Sequence, residues 1–188
     1  MSDLTEYSGP FNPNIKASDF SKETLVDLLV HWAKQYIKFE GYYQGAIREH
    51  MGDQTANDWA CEVYRVDRIP SYIWKGVRRI FNIQGNDLES FFKAIQWDPA
   101  FFANLFDWDV EFKEKNRAVL TVTHCPALLA MEKEGKGYEG IICPGLEVLT
   151  FETYAKSFNP KIDVRALVLP PRKDKVGIHC QWEYTLEE

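Results

Sequence analysis

Residues 106–124 read Phe106-Asp107-Trp108-Asp109-Val110-Glu111-Phe112, then Lys113-Glu114-Lys115-Asn116, then Arg117-Ala118-Val119-Leu120-Thr121-Val122-Thr123-His124. The first block alternates apolar and acidic residues with a period of two, which only a strand with one buried face explains. Lys113 to Asn116 makes a turn, and the Val- and Thr-rich block after it returns as the second strand of a hairpin. A second hairpin is expected over Ile162 to Leu169 and Val176 to Leu186, turned at Pro170 to Lys175. In its last strand Val176, Ile178, Cys180, Trp182 and Tyr184 alternate with Gly177, His179, Gln181 and Glu183. That register puts Cys180 on the apolar face with Phe106, Trp108, Val110, Val176, Ile178, Trp182 and Tyr184, and His179 on the wet one.

Between the hairpins, after a polar stretch holding Gly135, Gly137 and Gly140, Cys143-Pro144-Gly145 opens a helix that runs to about Ser157. Pro144 suits the first helical position, and Asn159 and Pro160 end the run. Upstream the pattern is helical. Leu25, Leu28, Leu29, Trp32, Tyr36, Phe39, Tyr43 and Ile47 recur at three- and four-residue steps, one stripe of a long amphipathic helix from Ser21 to Gly52. Gly41 and Gly45 inside it each cost roughly 1 kcal/mol against Ala. Shorter helices are predicted from about Gln54 to Tyr64, Pro70 to Phe81 and Asp87 to Ile95. The fold class is therefore α+β: an N-terminal arm (1–20), then one domain whose helical half (21–97) packs on a C-terminal antiparallel ββαββ unit (104–188).

A chain of 188 residues can bury one sizeable core without disulfide staples, and 12 Phe, 9 Tyr and 6 Trp supply it generously. The net charge of −6, with no Lys or Arg cluster, argues against a nucleic-acid partner. No apolar run reaches membrane-spanning length and Met1 to Pro13 lacks the layout of a signal peptide, so a cytoplasmic chain without a membrane partner is expected. In that compartment the 4 cysteines stay reduced and read as thiols or metal ligands.

Cys125 ends a strand, Cys143 begins a helix and Cys180 points inward, so three thiols from distant sequence can converge in one cavity. With one of His124, His179 or Cys61 they would complete a tetrahedral site for a divalent metal, zinc or iron, or leave a position open for water or substrate. His124 is the ligand chosen as fourth. No close cysteine pair of the zinc-finger kind is present, and the bland alternative is that the thiols only pack as small hydrophobes. Cys143 has the best case as a catalytic thiolate, because a following helix would lower its pKa. Tyr42, Tyr43, Trp59 and Trp182 are candidate walls of a small-molecule pocket. Glu40, Glu49, Asp58 and Glu62 read as a solvated helical face, the alternative being a mixed carboxylate and thiolate site, and the long first helix reads as the apolar face of a homodimer.

Phe39-Glu40-Gly41-Tyr42-Tyr43, Cys61-Glu62-Val63-Tyr64, Cys125, Cys143, Pro170-Pro171 and the ending Cys180-Gln181-Trp182-Glu183-Tyr184 together resemble an uncharacterised prokaryotic family of unknown function. The similarity spans most of the chain and is carried chiefly by the Cys-x-Trp-Glu-aromatic segment. More remotely, helices followed by ββαββ look like vinyl-reductase-type ligand-binding domains and the hydrolases that open aminothiazoline-carboxylate rings. That resemblance implies a small-molecule pocket, with a cysteine-bound metal or hydrolysis of a small heterocycle. Cys61 and Leu169 depart from the pattern of that resemblance, in which an acidic residue and a further cysteine often stand at those positions. The functional expectation is a small-molecule-binding domain, a hydrolase or lyase with a thiolate or metal-thiolate site between helices and sheet; the alternative is a ligand sensor or assembly protein whose cysteines are structural.

Overall fold

The computed structural model describes residues 4–65 and 68–187; Met1 to Asp3 of the expected arm lie outside the described residues. The rest of the arm lies beside the start of the first helix, where Leu4 bridges Phe20 through amide bonds of 2.8 Å from Leu4 N to Asp19 O and from Ser21 N to Leu4 O.

Helix α1 (Lys22–Met51) begins where Ser21 accepts the Thr24 amide and ends at Gly52, whose φ of +85° few side chains tolerate. It is followed by α2 (Asp53–Val63), α3 (Ile69–Phe81) and α4 (Leu88–Ile95). Pro70 sits in the first turn of α3, and Asp87 caps α4 by accepting from Ser90 N at 2.9 Å. The apolar stripe of α1 is only partly covered. The helix packs on α2 and buries Ala33, Ile47 and Arg48, whereas Leu29, Trp32, Phe39 and Tyr43 remain exposed. Periodicity identifies an apolar arc; which part of it the same chain covers depends on where α2 docks.

Strands β1 (Asp107–Glu114), β2 (Arg117–His124), β3 (Ile162–Val168) and β4 (Cys180–Leu186) form one antiparallel sheet in the order β1-β2-β4-β3. The helices lie in the N-terminal half and between the two hairpins, so the class is α+β as read. One sheet face, with Leu120, Val122, Trp182 and Tyr184, is sealed by Phe91 and Phe92 of α4 and by Phe151 and Phe158 farther along the chain. On the opposite face Glu183 is held by Arg117 at 2.6 Å and Arg165 at 2.7 Å, so an acid on the polar side is nonetheless covered.

Three expectations need correction. The last strand starts at Cys180, not Val176; Val176 and Ile178 are exposed, and His179 is buried rather than wet. His179 turns inward because its amide donates to Val122 O at 2.8 Å while its ring accepts from the Cys125 amide at 2.9 Å. The segment after β2 holds a helix that was expected to be a polar stretch, α5 (Pro126–Glu134), capped by Cys125 and stopped by left-handed Gly135. Finally, Cys143 does not begin a helix. The helical run starts earlier, as α6 (Glu139–Ile142), widens into a π turn (Cys143–Glu147) and continues as α7 (Val148–Phe158). Pro144 has no N–H to offer and its ring crowds the preceding turn, which accounts for widening at this point.

Candidate functional site

The register of the central strands brings two thiols to one end of the sheet. Cys180 pairs with Val122 across β2 and β4, and Cys125 follows Val122 by three residues. Cys125 is fixed twice: its amide donates to His179, and its sulfur accepts the Leu128 amide at 3.4 Å as the cap of α5. Cys143 reaches the same place from the π turn, close enough that Glu147, Cys125 and Cys180 all disfavour its ionisation. Thus Cys125, Cys143 and Cys180 do come within electrostatic reach of one another inside the fold.

Burial dominates the electrostatics here. It pushes the Cys125 thiol up to about 11 and the Cys180 thiol up to about 12, and it raises Cys143 strongly, with Glu147 the next cause. Lacking a helix N-terminus, Cys143 has no dipole to hold a thiolate. Arg172 lowers Cys125 slightly while paired to Glu132 at 2.7 Å on α5. The indole N–H of Trp182 lies beside the Cys180 sulfur and also favours its ionisation, without a well-formed hydrogen bond.

A chain of acids, Asp98 buried and Glu147 and Glu40 half-buried, continues from the thiols toward α1. Burial raises Glu147 up to about 7, with Glu40 adding to it. Glu40, raised by burial, accepts the Tyr64 hydroxyl. Asp98 is fully buried and pushed up to about 6; its Oδ1 accepts the Ala100 amide at 2.6 Å. Tyr36 is raised to about 12 by burial and then by Glu40 and Asp98. Tyr154 OH and Asp98 Oδ2 interact electrostatically, yet neither makes a well-formed bond. The interior between α1, the π turn and the sheet therefore holds acids whose pKa values are all raised, toward neutrality for Asp98 and Glu147, with unmet polar atoms near them.

His124, the expected fourth ligand, ends β2 beside His179, their ring centroids 6.2 Å apart; the carboxyl group the thiols face is that of Glu147. Among the described residues no three His, Cys, Asp or Glu side chains are drawn up as a ready coordination sphere. The donor chemistry suits a soft divalent cation, whose arrival would draw protons from the thiols. The expected aromatic wall is not assembled: Tyr42, Tyr43 and Trp59 are exposed on α1 and α2, while Trp182 lies in the core stacked on Phe151, centroids 4.4 Å apart.

Glu40, expected on a solvated face, points inward; Tyr36 was read only as part of the α1 stripe and Tyr64 only as an aromatic residue, and Asp98, Glu147 and Tyr154 were not singled out. A signal existed for two of them. Glu147 is the lone acid in Ile141-Ile142-Cys143-Pro144-Gly145-Leu146-Glu147-Val148-Leu149, and Asp98 interrupts an equally apolar run from Phe91 to Phe102.

Compared with known proteins, residues 18–186 match the model of a protein family whose function is unknown. No curated protein and no solved structure matches the chain.

Proposed function

Because the chain belongs to DUF6125, a family of unknown function, its activity has to be read from the site itself, and we propose that it is a small-molecule-binding domain working through the buried thiols and acids. The observation that carries this is that Cys125, Cys143 and Cys180, from three stretches of sequence, all feel the carboxyl group of Glu147 in the same π turn as Cys143. Cys125, Cys143 and Cys180, with Glu147 in place of His124, would be the donors for a zinc or iron ion. A bound ion would supply Lewis-acid polarisation of a substrate oxygen or a water. The protein's own share is proton handling: Asp98, with a pKa of about 6, can give or take a proton near neutral pH. Tyr64, hydrogen-bonded to Glu40, orients that carboxyl group toward the same interior. This combination suits hydrolysis or elimination on a small molecule. The order of elements, read as resembling vinyl-reductase-type ligand-binding domains and aminothiazoline-carboxylate hydrolases, would imply the same class of chemistry.

A cytoplasmic setting fits four free thiols. No described helix is long and apolar enough to cross a membrane. A second reading, a ligand sensor or assembly protein with structural cysteines, is favoured by Cys125 acting as a helix cap. Metal analysis of protein purified without added metal, combined with thiol titration before and after chelation, separates the two. The metal reading expects a bound ion and thiols released by the chelator, with Cys143→Ser losing the ion. No bound ion, and thiols that react only on unfolding, would leave the structural reading.

A further inference from the structure

The uncovered stripe of α1 has the spacing of a coiled-coil seam. Leu25, Leu29, Trp32, Tyr36, Phe39 and Tyr43 follow one another at alternating four- and three-residue steps, a strict heptad pattern. Tyr36 and Leu25 are half-buried, but Leu29 is 48%, Trp32 56%, Phe39 72% and Tyr43 55% exposed. Leu28 and Tyr42 extend the stripe on its free side, and the rings of Phe39 and Tyr43 stack at 6.2 Å. Scattered exposed aromatics are ordinary; a continuous helical row of them is not.

From this geometry we infer that the α1 stripe is the interface at which two copies of this chain pair about a two-fold axis. The area suits the occupant. Those exposures amount to on the order of 700 Å² per chain, close to the ~800 Å² each partner contributes to a standard stable interface. The charge pattern points to the same occupant. Along the seam and its free side, from Leu25 to Tyr43, no Asp, Glu, Lys or Arg stands on the stripe, with Leu28, Gln35 and Tyr42 at the flanking positions. Two chains each carrying a net charge of −6 can meet across a neutral face without opposing like charges. A partner of opposite charge would find nothing there to recognise. A two-fold pairing also asks only that one surface complement itself. The second copy would cover the exposed side of Tyr36, one of the groups that flank the buried acids.

Sedimentation equilibrium of the full chain tests this. The expected result is a mass twice 21.9 kDa. Phe39→Glu, at a position 72% exposed and so carrying little packing within the chain, should give the single-chain mass with unchanged helix content by circular dichroism. The double variant Trp32→Glu/Phe39→Glu should do so completely, while Ile80→Glu, exposed on α3 away from the stripe, should stay paired. A wild-type chain of single mass, or a folded Phe39→Glu/Trp32→Glu chain of double mass, overturns the inference. Should the double variant lose its helix content, the wild-type and Phe39→Glu masses decide alone.

Discussion

The backbone amide of Cys125 donates to Nδ1 of His179 across 2.9 Å, joining the start of α5 to the residue that precedes β4. An accepting Nδ1 means that the neutral ring carries its proton on Nε2. Burial and then Arg172 hold this histidine below its ordinary pKa, so the folded state resists the proton that would break the bond. His179→Phe leaves the Cys125 amide without an acceptor and should cost about 1–3 kcal/mol in urea unfolding near pH 8. Because the folded pKa is lowered, the wild type should also lose stability as pH falls below about 6.5, a component the variant lacks. Equal stability of variant and wild type at pH 8 would show that the bond is not structural.

Asp98 acts in the opposite sense. Its pKa is raised from 3.8 to about 6, so the folded chain binds a proton the unfolded chain has released, and stability falls as pH rises from about 4 through about 6. Asp98→Asn keeps an acceptor for Ala100 N and removes the charge. The variant should gain up to roughly 3 kcal/mol at pH 8 and show a flatter pH profile between those limits. Denaturant midpoints across pH check this; an Asn variant no more stable than the wild type at pH 8 refutes it.

Tyr64→Phe removes the hydroxyl that Glu40 accepts. Burial already raises Glu40 and this bond is what lowers it, so its carboxyl should titrate at higher pH in the variant. The loss of stability should be about 1 kcal/mol. Infrared titration of the carboxyl band, beside thermal melts, reads both effects; a downward shift in Glu40 would contradict the geometry.

Cys125, Cys143 and Cys180 should all alkylate more slowly than a free thiol, with its pKa near 8.5, because burial raises each of them. Cys61 is raised too, by burial and then by Asp58, but without the Glu147 contribution that the other three share, so it should react before them. Mass mapping of labelled sites against time gives the order. Rapid labelling of Cys143 in mildly acidic solution would restore the activated thiolate that its position in the π turn argues against.

Much of the framework was legible in local pattern. The alternation from Phe106 to Phe112 and the return from Arg117 to His124 gave the first hairpin, with β2 exact and β1 running two residues further, to Glu114, and Ser21 and Gly52 marked both ends of α1. Cap residues and periods of 2 and 3.6 act over a few residues, so a single chain segment carries them in full. The Trp182 and Tyr184 side of β4 was readable for the same reason.

Long-range packing decided the rest. Whether Glu40 meets water or Tyr64, whether His179 faces out or is captured by the Cys125 amide, and whether Cys143 opens a helix or sits within one all depend on segments distant in sequence or on turns begun earlier. The sequence by itself determined the α+β class, the main helices, the first hairpin and three cysteines able to converge. Only the tertiary structure chose Glu147 as the acid facing those thiols and left the α1 stripe uncovered, because burial is a property of the surfaces that meet and not of the segment that carries the residue.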